Sequence, residues 1–330
     1  MNKIEIGHGS GGKLTRDLIE NIFLKYLQSP ELNPLEDAAT VCINSRETAI
    51  TTDSYVIRPF FFPGSDIGKL SVCGTVNDLT VSGAIPRYLT LGFIIEEGFP
   101  LSDLERIVKS ISLTAQDAGV EIVTGDTKVV EKGKCDGIYI NTTGFGEIAK
   151  SMVTANISDG DKIILTGTMG DHGTSVAIAR EEFTIDASVQ SDCAPLNDLL
   201  TPLFQIDGVK WMRDPTRGGV ATVMVELSDT LGMGISIYED SLPVREDVQF
   251  ISDMLGYDPL YIANEGKAII VASVGSADKV IEILKKHPLG VNATIIGDID
   301  STFSGVRLKT KIGGERILDM LEEEILPRIC

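Results

Sequence analysis

The stretch A49-I-T-T-D-S-Y-V-I57 and the stretch I67-G-K-L-S-V-C-G-T-V-N-D-L-T-V81 decide the character of the N-terminal half of this chain. The first combines β-branched and apolar residues, which predicts a strand with Asp53 at the end of its apolar part. The second predicts a helix that carries Asp78. A strand followed by a helix indicates a domain of mixed α and β structure.

The rest of the N-terminal half continues this interleaved pattern. Apolar residues at helical spacing predict a helix over 13–27. The sequence S102-D-L-E105 has the pattern of a capping box, and it predicts the start of a helix that Gly119 ends. Strands are predicted over 121–124 and 137–143.

A polar stretch, A155-N-I-S-D-G-D161, separates this half from the next apolar strand and places the domain boundary within 152–160. The second half is predicted to contain strands over 163–165, 235–238, 268–272 and 293–296, and helices over 220–231 and 277–286. That alternation is typical of an α+β or an α/β domain. We therefore predict an N-terminal domain over 1–152, a larger α/β-type domain over 153–313, and a mobile tail over 314–330.

Composition excludes several classes of partner. The 330 residues include 29 basic and 48 acidic side chains, which gives a net charge of −19. Hydrophobic residues at 43% indicate an ordinary globular protein, and the acidic balance argues against nucleic acid or an anionic membrane as the main partner. ATP remains compatible with this charge if metal ions bridge the carboxylates and the phosphates.

The cysteines indicate a reducing compartment. The five thiols are odd in number and scattered, without a C-x-x-C pair, so they form neither a disulfide framework nor a zinc site. The N-terminal residues lack the apolar core of a signal peptide, and no apolar run approaches the length of a membrane span. The sequence therefore predicts a cytoplasmic protein. One cysteine, Cys330, ends the chain, where a thiol on a mobile tail can reach both an active site and a partner; an accidental terminus is the alternative.

The glycine-rich segment G7-H-G-S-G-G-K13 is close to a phosphate-binding loop but departs from it at Leu14, where a Ser or Thr hydroxyl should bind Mg²⁺. A flexible arm that closes over a ligand, with Lys13 meeting phosphate, is one interpretation. A plain glycine-rich approach to a helix is the other.

Three aspartates stand in similar settings: Asp53 and Asp126 at predicted strand ends, and Asp78 in the predicted helix. Such residues are often turn formers or helix caps. Three of them beside small residues also suit oxygen ligation of Mg²⁺ on nucleotide phosphates, although spacing cannot show that they converge.

Two motifs of the second half also carry candidate chemistry. R213-D-P-T-R-G-G219 leads into a predicted helix and suits either an anion site or a simple turn with a cap. N264-E-G266 places Glu265 between two apolar runs, where desolvation would raise its pKa and suit it to general-base work; a hairpin-turn glutamate is the alternative.

Taken together, these motifs resemble the HypE family of hydrogenase maturation proteins in the AIR synthetase-like (PurM-like) superfamily. The resemblance covers the whole chain and rests on H8-G-S-G-G12, T52-D-S-Y-V56, G74-T-V-N-D78, S82-G-A-I-P-R87, V123-T-G-D-T-K-V-V130, D214-P-T-R-G-G219, A263-N-E-G-K267 and P327-R-I-C330. It implies an α+β, two-domain fold whose N-terminal domain binds ATP and pairs in a homodimer, with the C-terminal domain covering the site.

The resemblance also implies a reaction. In that family, the partner HypF carbamoylates the terminal cysteine from carbamoyl phosphate, and ATP then drives dehydration of the S-carboxamide to a thiocyanate. The cyano group passes to iron held by the HypC–HypD complex and becomes a ligand of the [NiFe]-hydrogenase centre.

Site residues follow from the same resemblance. It implies Cys330 as carrier, Glu265 as base, and Asp53, Asp78 and Asp126 as Mg²⁺ ligands. The remaining residues that it assigns to the nucleotide site are His8, Lys13, Asn77, Thr127, Lys128, Asp214, Arg217 and Asn264.

Two rival functions remain open on the sequence. One is another ATP-dependent enzyme of the superfamily, of the selenophosphate synthetase or thiamine-phosphate kinase type, although neither accounts for P-R-I-C330. The other is a non-catalytic carrier whose tail cysteine delivers a group to a partner; it predicts no ATP turnover and a dispensable Glu265.

Overall fold

The computed structural model describes residues 3–10, 13–30, 32, 39, 41–44, 47–180, 189–321, 326 and 328–330. Its strands are β1 Thr48–Tyr55, β2 Phe61–Phe62, β3 Ser65–Asp66, β4 Ala84–Glu96, β5 Glu121–Val130, β6 Ile138–Ile148, β7 Lys162–Leu165, β8 Val209–Arg213, β9 Gly234–Tyr238, β10 Ile269–Ala272, β11 Thr294–Asp300, β12 Val306–Lys309 and β13 Glu315–Leu318. Its α-helices are α1 Lys13–Leu18, α2 Leu24–Tyr26, α3 Ile67–Val81, α4 Leu101–Ala118, α5 Asp171–Ala179, α6 Asn197–Leu200, α7 Gly219–Leu231, α8 Glu246–Leu255 and α9 Val274–Leu284.

The N-terminal domain is built on a mixed sheet, as predicted. Within the described residues its strands lie in the order β1-β6-β4-β5, with β4 and β5 parallel and the other neighbours antiparallel. Helices α3 and α4 pack on one face of this sheet. The predicted helix over 13–27 is present as α1 and α2, joined by a π-helical turn at Ile19–Phe23.

Helix α3 is the central element of the molecule. It spans Ile67–Val81, as the sequence predicts, and Asp66 caps it by accepting the N–H groups of Gly68 and Lys69 at 2.8 and 3.0 Å. Almost all of its side chains are buried, because the N-terminal sheet covers one side and elements of the second domain, including β8 and α6, contact the other. A helix covered on two sides carries no polar stripe.

The C-terminal domain contains a sheet in the order β13-β12-β9-β11-β7-β10-β8 among the described residues. Neighbours in this sheet are antiparallel except for β9 and β12, so the α+β alternative describes the domain better than the α/β one. The sheet reaches past residue 313, since β13 pairs with β12 through Val306 and Leu318. The first part of the predicted tail therefore belongs to this sheet.

The predicted capping box is wrong in its details. Helix α4 begins one residue earlier than Ser102, after Pro100, and no side chain caps it. Glu105 instead accepts hydrogen bonds from Lys25 and Tyr26 and so ties α2 to α4. The predicted helix end is confirmed, because Gly119 adopts a φ of +65° at the C-cap, where glycine is favoured.

None of the described helices is long and apolar enough to cross a bilayer.

Asn77 joins the two domains, and its replacement should therefore destabilise the whole fold. Its side chain, 1% exposed, donates to the carbonyls of Ala194 and Glu265 at 3.2 Å and accepts the Leu196 N–H at 2.8 Å. We expect Asn77→Ala to lower the free energy of unfolding by about 1–3 kcal/mol, because buried backbone groups lose their partners. Urea denaturation followed by circular dichroism measures this change.

The matched control is Asn21→Ala, which removes a single exposed bond to Asp17 and should change the same free energy by less than about 0.5 kcal/mol. Equal effects of the two substitutions would contradict a bridging role for Asn77.

Candidate active site

Two aspartates that the sequence singled out come together between β1 and α3. Thr51 of β1 donates to Asp78 of α3 at 2.9 Å, and Thr75 donates to Asp53 at 3.1 Å. Burial raises the pKa of Asp78 to about 6, and repulsion from Asp53 adds to the effect. Two carboxylates in such proximity attract a cation.

Asp214 reaches the same place from the C-terminal domain. It follows strand β8, which contacts α3, and it is only 8% exposed. Burial raises its pKa to about 7, with further contributions from repulsion by Asp78 and Asp53. The predicted site residue Asp214 is therefore a neighbour of the aspartate pair, at the boundary between the domains.

Glu265 lies in the interior beside these aspartates. It is 3% exposed, and its Oε1 has no hydrogen-bond partner among the described residues. Burial raises the pKa of its carboxyl well above the usual range, with repulsion from Cys193 as the next cause. The predicted desolvation of Glu265 is thus confirmed.

Tyr55 connects the acidic residues to the chain terminus. Burial raises the pKa of its phenol, and the negative charges of Asp53, Glu265 and Asp78 raise it further, which places all three carboxylates near the ring. Its hydroxyl lies 2.3 Å from the position that a Cβ on Gly74 would occupy, so the G74-T-V-N-D78 motif needs glycine at this point. Tyr55 is followed by Val56, whose N–H donates to the Cys330 carbonyl at 3.2 Å.

The terminal residues are therefore docked on the N-terminal domain in this structure. Ile329 is 4% exposed and Cys330 is half-buried, and both contact the core of the N-terminal domain. Along an extended chain, Asp53 and Val56 are separated by about 10 Å. Pro327, the first residue of the P-R-I-C motif, lies outside the described residues.

Asp126 and Lys128 are not brought to the aspartate pair. Both lie inside β5, which continues to Val130 rather than ending at Thr124, and they form an exposed ion pair at 2.8 Å. Across the sheet, Asp126 of β5 pairs with Gly92 of β4, which pairs with Asn141 of β6, which in turn pairs with Ser54 of β1. Asp126 is therefore in register with Ser54, the residue after Asp53. Because successive residues point to opposite faces, Asp126 and Asp53 lie on opposite faces of the sheet.

Thr127 lies in the same strand and lines a cavity of about 120 Å³ between the N-terminal helix and the sheet. A single chain thus does not bring Asp126 to Asp53 and Asp78, and the assignment of these three aspartates as Mg²⁺ ligands stays a prediction. Within the described residues, no three acidic, histidine or cysteine side chains form a group placed to hold a metal.

The glycine arm also lies elsewhere. Residues Ile6–Gly9 form a 3-10 turn packed against β5, with Gly9 so close that a Cβ would lie 2.4 Å from the Val129 nitrogen. His8 is buried and its Nδ1 accepts the Glu5 N–H at 3.0 Å, while Lys13 is exposed at the start of α1. The described part of the arm therefore packs on β5, the strand that carries Asp126. Gly11 and Gly12 lie outside the described residues.

Two predicted nucleotide ligands, Asn77 and Asn264, bind backbone groups in this structure. The Asn77 amide makes the three backbone hydrogen bonds named above. Asn264, fully buried, accepts the Gly170 N–H at 2.8 Å and donates to the carbonyls of Pro215 and Ile262 at 3.1 and 3.0 Å. These hydrogen bonds position the segments of Glu265 and Asp214, and a nucleotide contact of either amide stays a prediction. Arg217 is exposed in the loop after β8.

Sequence reasoning missed the groups that hold Glu265 in place. The buried Asp192 accepts the N–H groups of Glu265 and Gly266 at 3.2 and 3.3 Å, and Lys267 pairs with it at 3.1 Å. Lys267 belongs to the A-N-E-G-K motif and was available as a signal. Asp192 carries no local pattern, since its role depends on a contact 73 residues away.

The residues present fit Mg²⁺ chemistry. Mg²⁺ in proteins is commonly bound by one or two carboxylates together with substrate phosphates. Asp53 and Asp78 can supply the two carboxylates. A bound cation would offset the electrostatic repulsion between these two carboxylates.

Comparison with known proteins agrees with this architecture. Models of the AIR synthase related proteins match residues 35–148 for the N-terminal domain and 158–308 for the C-terminal domain. The carbamoyl dehydratase HypE of Escherichia coli (strain K12) is 44% identical over 337 residues, covering 100% of both chains.

Solved structures give the same result. The crystal structure of the hydrogenase maturation protein HypE in complex with ATP has a TM-score of 0.95 and 42% identity, covering 99% of both chains. A chain of a HypE–HypF complex has a TM-score of 0.81 and 46% identity, covering 92% of this chain and 99% of that one. With both domain models matched and near-complete coverage at this identity, the chain belongs to the HypE family of AIR synthase related proteins.

Proposed function

We propose that this chain is an ATP-dependent carbamoyl dehydratase that converts an S-carboxamide on Cys330 into a thiocyanate. The observation that carries the proposal is the docking of the Cys330 backbone on Val56, the residue that follows Tyr55, whose ring lies near Asp53, Asp78 and Glu265. The residue to be processed is thus held next in the chain to the tyrosine that adjoins the proposed catalytic carboxylates.

The chemistry follows from the poor leaving ability of an amide oxygen. That oxygen attacks the γ-phosphorus of ATP, ADP leaves, and an O-phosphorylated imidate forms as the nitrogen loses one proton. Loss of the second N–H proton then forms the carbon–nitrogen triple bond as the carbon–oxygen bond breaks and phosphate departs. Glu265 is suited to accept a proton because a desolvated carboxylate is a stronger base than an exposed one.

Asp53 and Asp78 would hold Mg²⁺, with Asp214 close by. The ion would supply charge neutralisation at the phosphates. Closure of the site around the docked tail would also exclude water, whose attack would otherwise consume ATP without dehydration.

A homodimer is the assembly we propose. The sheet face opposite to α3 exposes Ile50 and Ile94 to 64% and 44%, on a face that also carries Phe145. Exposed apolar groups on one sheet face favour burial against another surface. Asp126 and Lys128 lie on this same face, so their predicted contact with a nucleotide requires that a second copy complete the site there.

HypF is the proposed carbamoyl donor and HypC–HypD the proposed acceptor of the cyano group for [NiFe]-hydrogenase iron. The HypE–HypF complex among the similar structures supports the first of these assignments. A cytoplasmic location remains our proposal, in keeping with five cysteines that form no disulfide within the described residues.

The rival functions have less support. Thiamine monophosphate kinase shares the fold at 18% identity, far below the identity to HypE. A passive carrier would have no use for a glutamate whose carboxyl is buried without a hydrogen-bond partner among the described residues for its Oε1.

Removal of the proposed base should stop dehydration without unfolding the protein. We expect Glu265→Gln, with the carbamoyl group on Cys330, to lower the single-turnover rate by about 10²–10⁴-fold, because the amide cannot accept the proton. Mass spectrometry of the tail peptide reports the loss of one water. Glu246→Gln, an exposed carboxylate of the same domain, is the matched control and should react normally. Full dehydration by Glu265→Gln would contradict the role of Glu265 as the base.

The pH dependence should follow the same carboxyl. Since burial raises the pKa of Glu265, the deprotonated base gains population only as pH rises through that raised value. The single-turnover rate should therefore rise with pH. The midpoint of this rise should lie well above the pKa of an ordinary glutamate, which is about 4.3. The residual rate of Glu265→Gln should not show this rise; the same profile in both proteins would assign the titration to another group.

The proposed dimer can be tested at its apolar face. Ile50→Asp should shift the protein from dimer to monomer in light scattering coupled to size exclusion, because a charge replaces buried apolar surface. Ile312→Asp is the control, since Ile312 is 96% exposed in the β12–β13 hairpin and should leave the mass unchanged. A monomeric parent protein, or a dimer that survives Ile50→Asp, would contradict the assignment of this face.

A further inference from the structure

The C-terminal residues 328–330 are held by groups from both domains. Val56 binds them in both directions: its N–H donates to the Cys330 carbonyl at 3.2 Å, and its carbonyl accepts from Arg328 Nε at 3.0 Å. This contact continues the edge of the N-terminal sheet just beyond β1.

Helix α5 of the C-terminal domain holds the other side. His172 Nε2 lies 3.0 Å from the Ile329 carbonyl, and Arg180 Nη2 donates to the Arg328 carbonyl at 2.9 Å. Burial lowers the pKa of His172, which favours the neutral ring. A carbonyl partner then fixes the proton on Nε2 and leaves Nδ1 to accept from Ser191 at 2.9 Å.

One side chain of the tail is gripped as well. Arg328 Nη1 pairs with Asp136 at 2.6 Å, and Arg58 pairs with the other oxygen of the same carboxylate at 2.8 Å. Arg58 is itself tied to the far side, because its carbonyl accepts from Arg180 Nε at 2.9 Å. Arg328 has a φ of +54°, a backbone conformation that persists only where the surroundings hold it.

The hydrogen bonds and the ion pair given above reach the tail through backbone carbonyls and through the Arg328 side chain, and the Ile329 side chain packs against the N-terminal core. None of these contacts is made by the Cys330 side chain, so they do not depend on the chemical state of its sulphur.

We propose that Asp136 is a positioning residue that sets how firmly the terminal segment is held inside, through its pair with Arg328. Its own side chain is 41% exposed and that of Arg328 is 39% exposed, so the pair is weak and sensitive to salt. We call the pair of Asp136 and Arg328 the latch. A weak latch suits a tail that must be docked for chemistry and released for a partner. The release step rests on the proposed function; the latch itself does not.

The test measures alkylation of Cys330 by iodoacetamide, followed by peptide mass spectrometry of the full-length protein without ATP or carbamoyl donor. Asp136→Asn should speed alkylation roughly two- to fivefold, the range that corresponds to a partly exposed ion pair. High salt should speed the reaction of the parent protein and have little effect on the variant.

Cys73 provides an internal control because it is buried in α3 and reacts only if the fold opens. Cys135 is unsuitable, since Asp136 helps to raise the pKa of its thiol and Asp136→Asn would therefore speed its alkylation directly. A change confined to the pair of Asp136 and Arg328 should speed Cys330 and leave Cys73 unchanged. Faster alkylation of both Cys330 and Cys73 would mean that the whole fold has loosened, and unchanged alkylation of both would mean that the pair does not hold the tail. Either result overturns the proposal.

A double-mutant cycle gives the second check. In an Arg328→Gln background, Asp136→Asn should have little further effect on Cys330, whereas equal effects in both backgrounds would overturn the pairing. Glu147→Gln breaks an ion pair with Arg87 elsewhere in the N-terminal domain and should leave Cys330 unchanged. The two proposals can fail separately. If the variants change Cys330 alkylation as expected but the parent protein does not dehydrate a carbamoylated Cys330, the proposed function is contradicted and the role of Asp136 is not.

Discussion

The structure depends on the burial of one helix between two domains. Helix α3 is covered by the N-terminal sheet on one side and by the second domain on the other, so its polar residues must find partners in the interior. Asn77 does so through three backbone groups of the C-terminal domain, among them the carbonyl of Glu265. The relative position of the domains and the position of the proposed base are therefore fixed by the same contacts.

That burial also explains the electrostatics of the site. Asp78 projects from α3 towards Asp53, and Asp214 arrives from the other domain, so like charges meet where water is scarce. The pKa values of Asp78 and Asp214 rise because burial penalises their ionised forms and the neighbours repel them. A site of this kind gains stability when a cation enters, which is why the arrangement suits a metal-bound nucleotide. Glu265 shares this environment, and burial likewise raises the pKa of its carboxyl, so its ionised form is a strong base.

The terminal segment is recognised largely through its backbone, and this division has a functional consequence. Hydrogen bonds from Val56, His172 and Arg180 hold carbonyl groups and are blind to the chemistry at sulphur. The Ile329 side chain adds packing against the core, and the partly exposed ion pair of Arg328 with Asp136 adds a weak contribution. The chain end can thus be held in a defined position by its backbone and still be released at a low cost in free energy.

The sequence by itself determined the elements and the local chemistry: helix α3 with its bounds, the strand that carries Asp53, the desolvation of Glu265 between two apolar runs, and the special position of Cys330. Such features depend on periodicity and neighbouring residues, which a sequence displays directly. Only the tertiary structure decided which groups meet. Strand parity puts Asp126 on the opposite sheet face from Asp53, the buried amides of Asn77 and Asn264 are taken by backbone, and Asp192 holds Glu265 from a distant segment. These outcomes depend on register and on long-range packing, and neither is encoded in the spacing of residues along the chain.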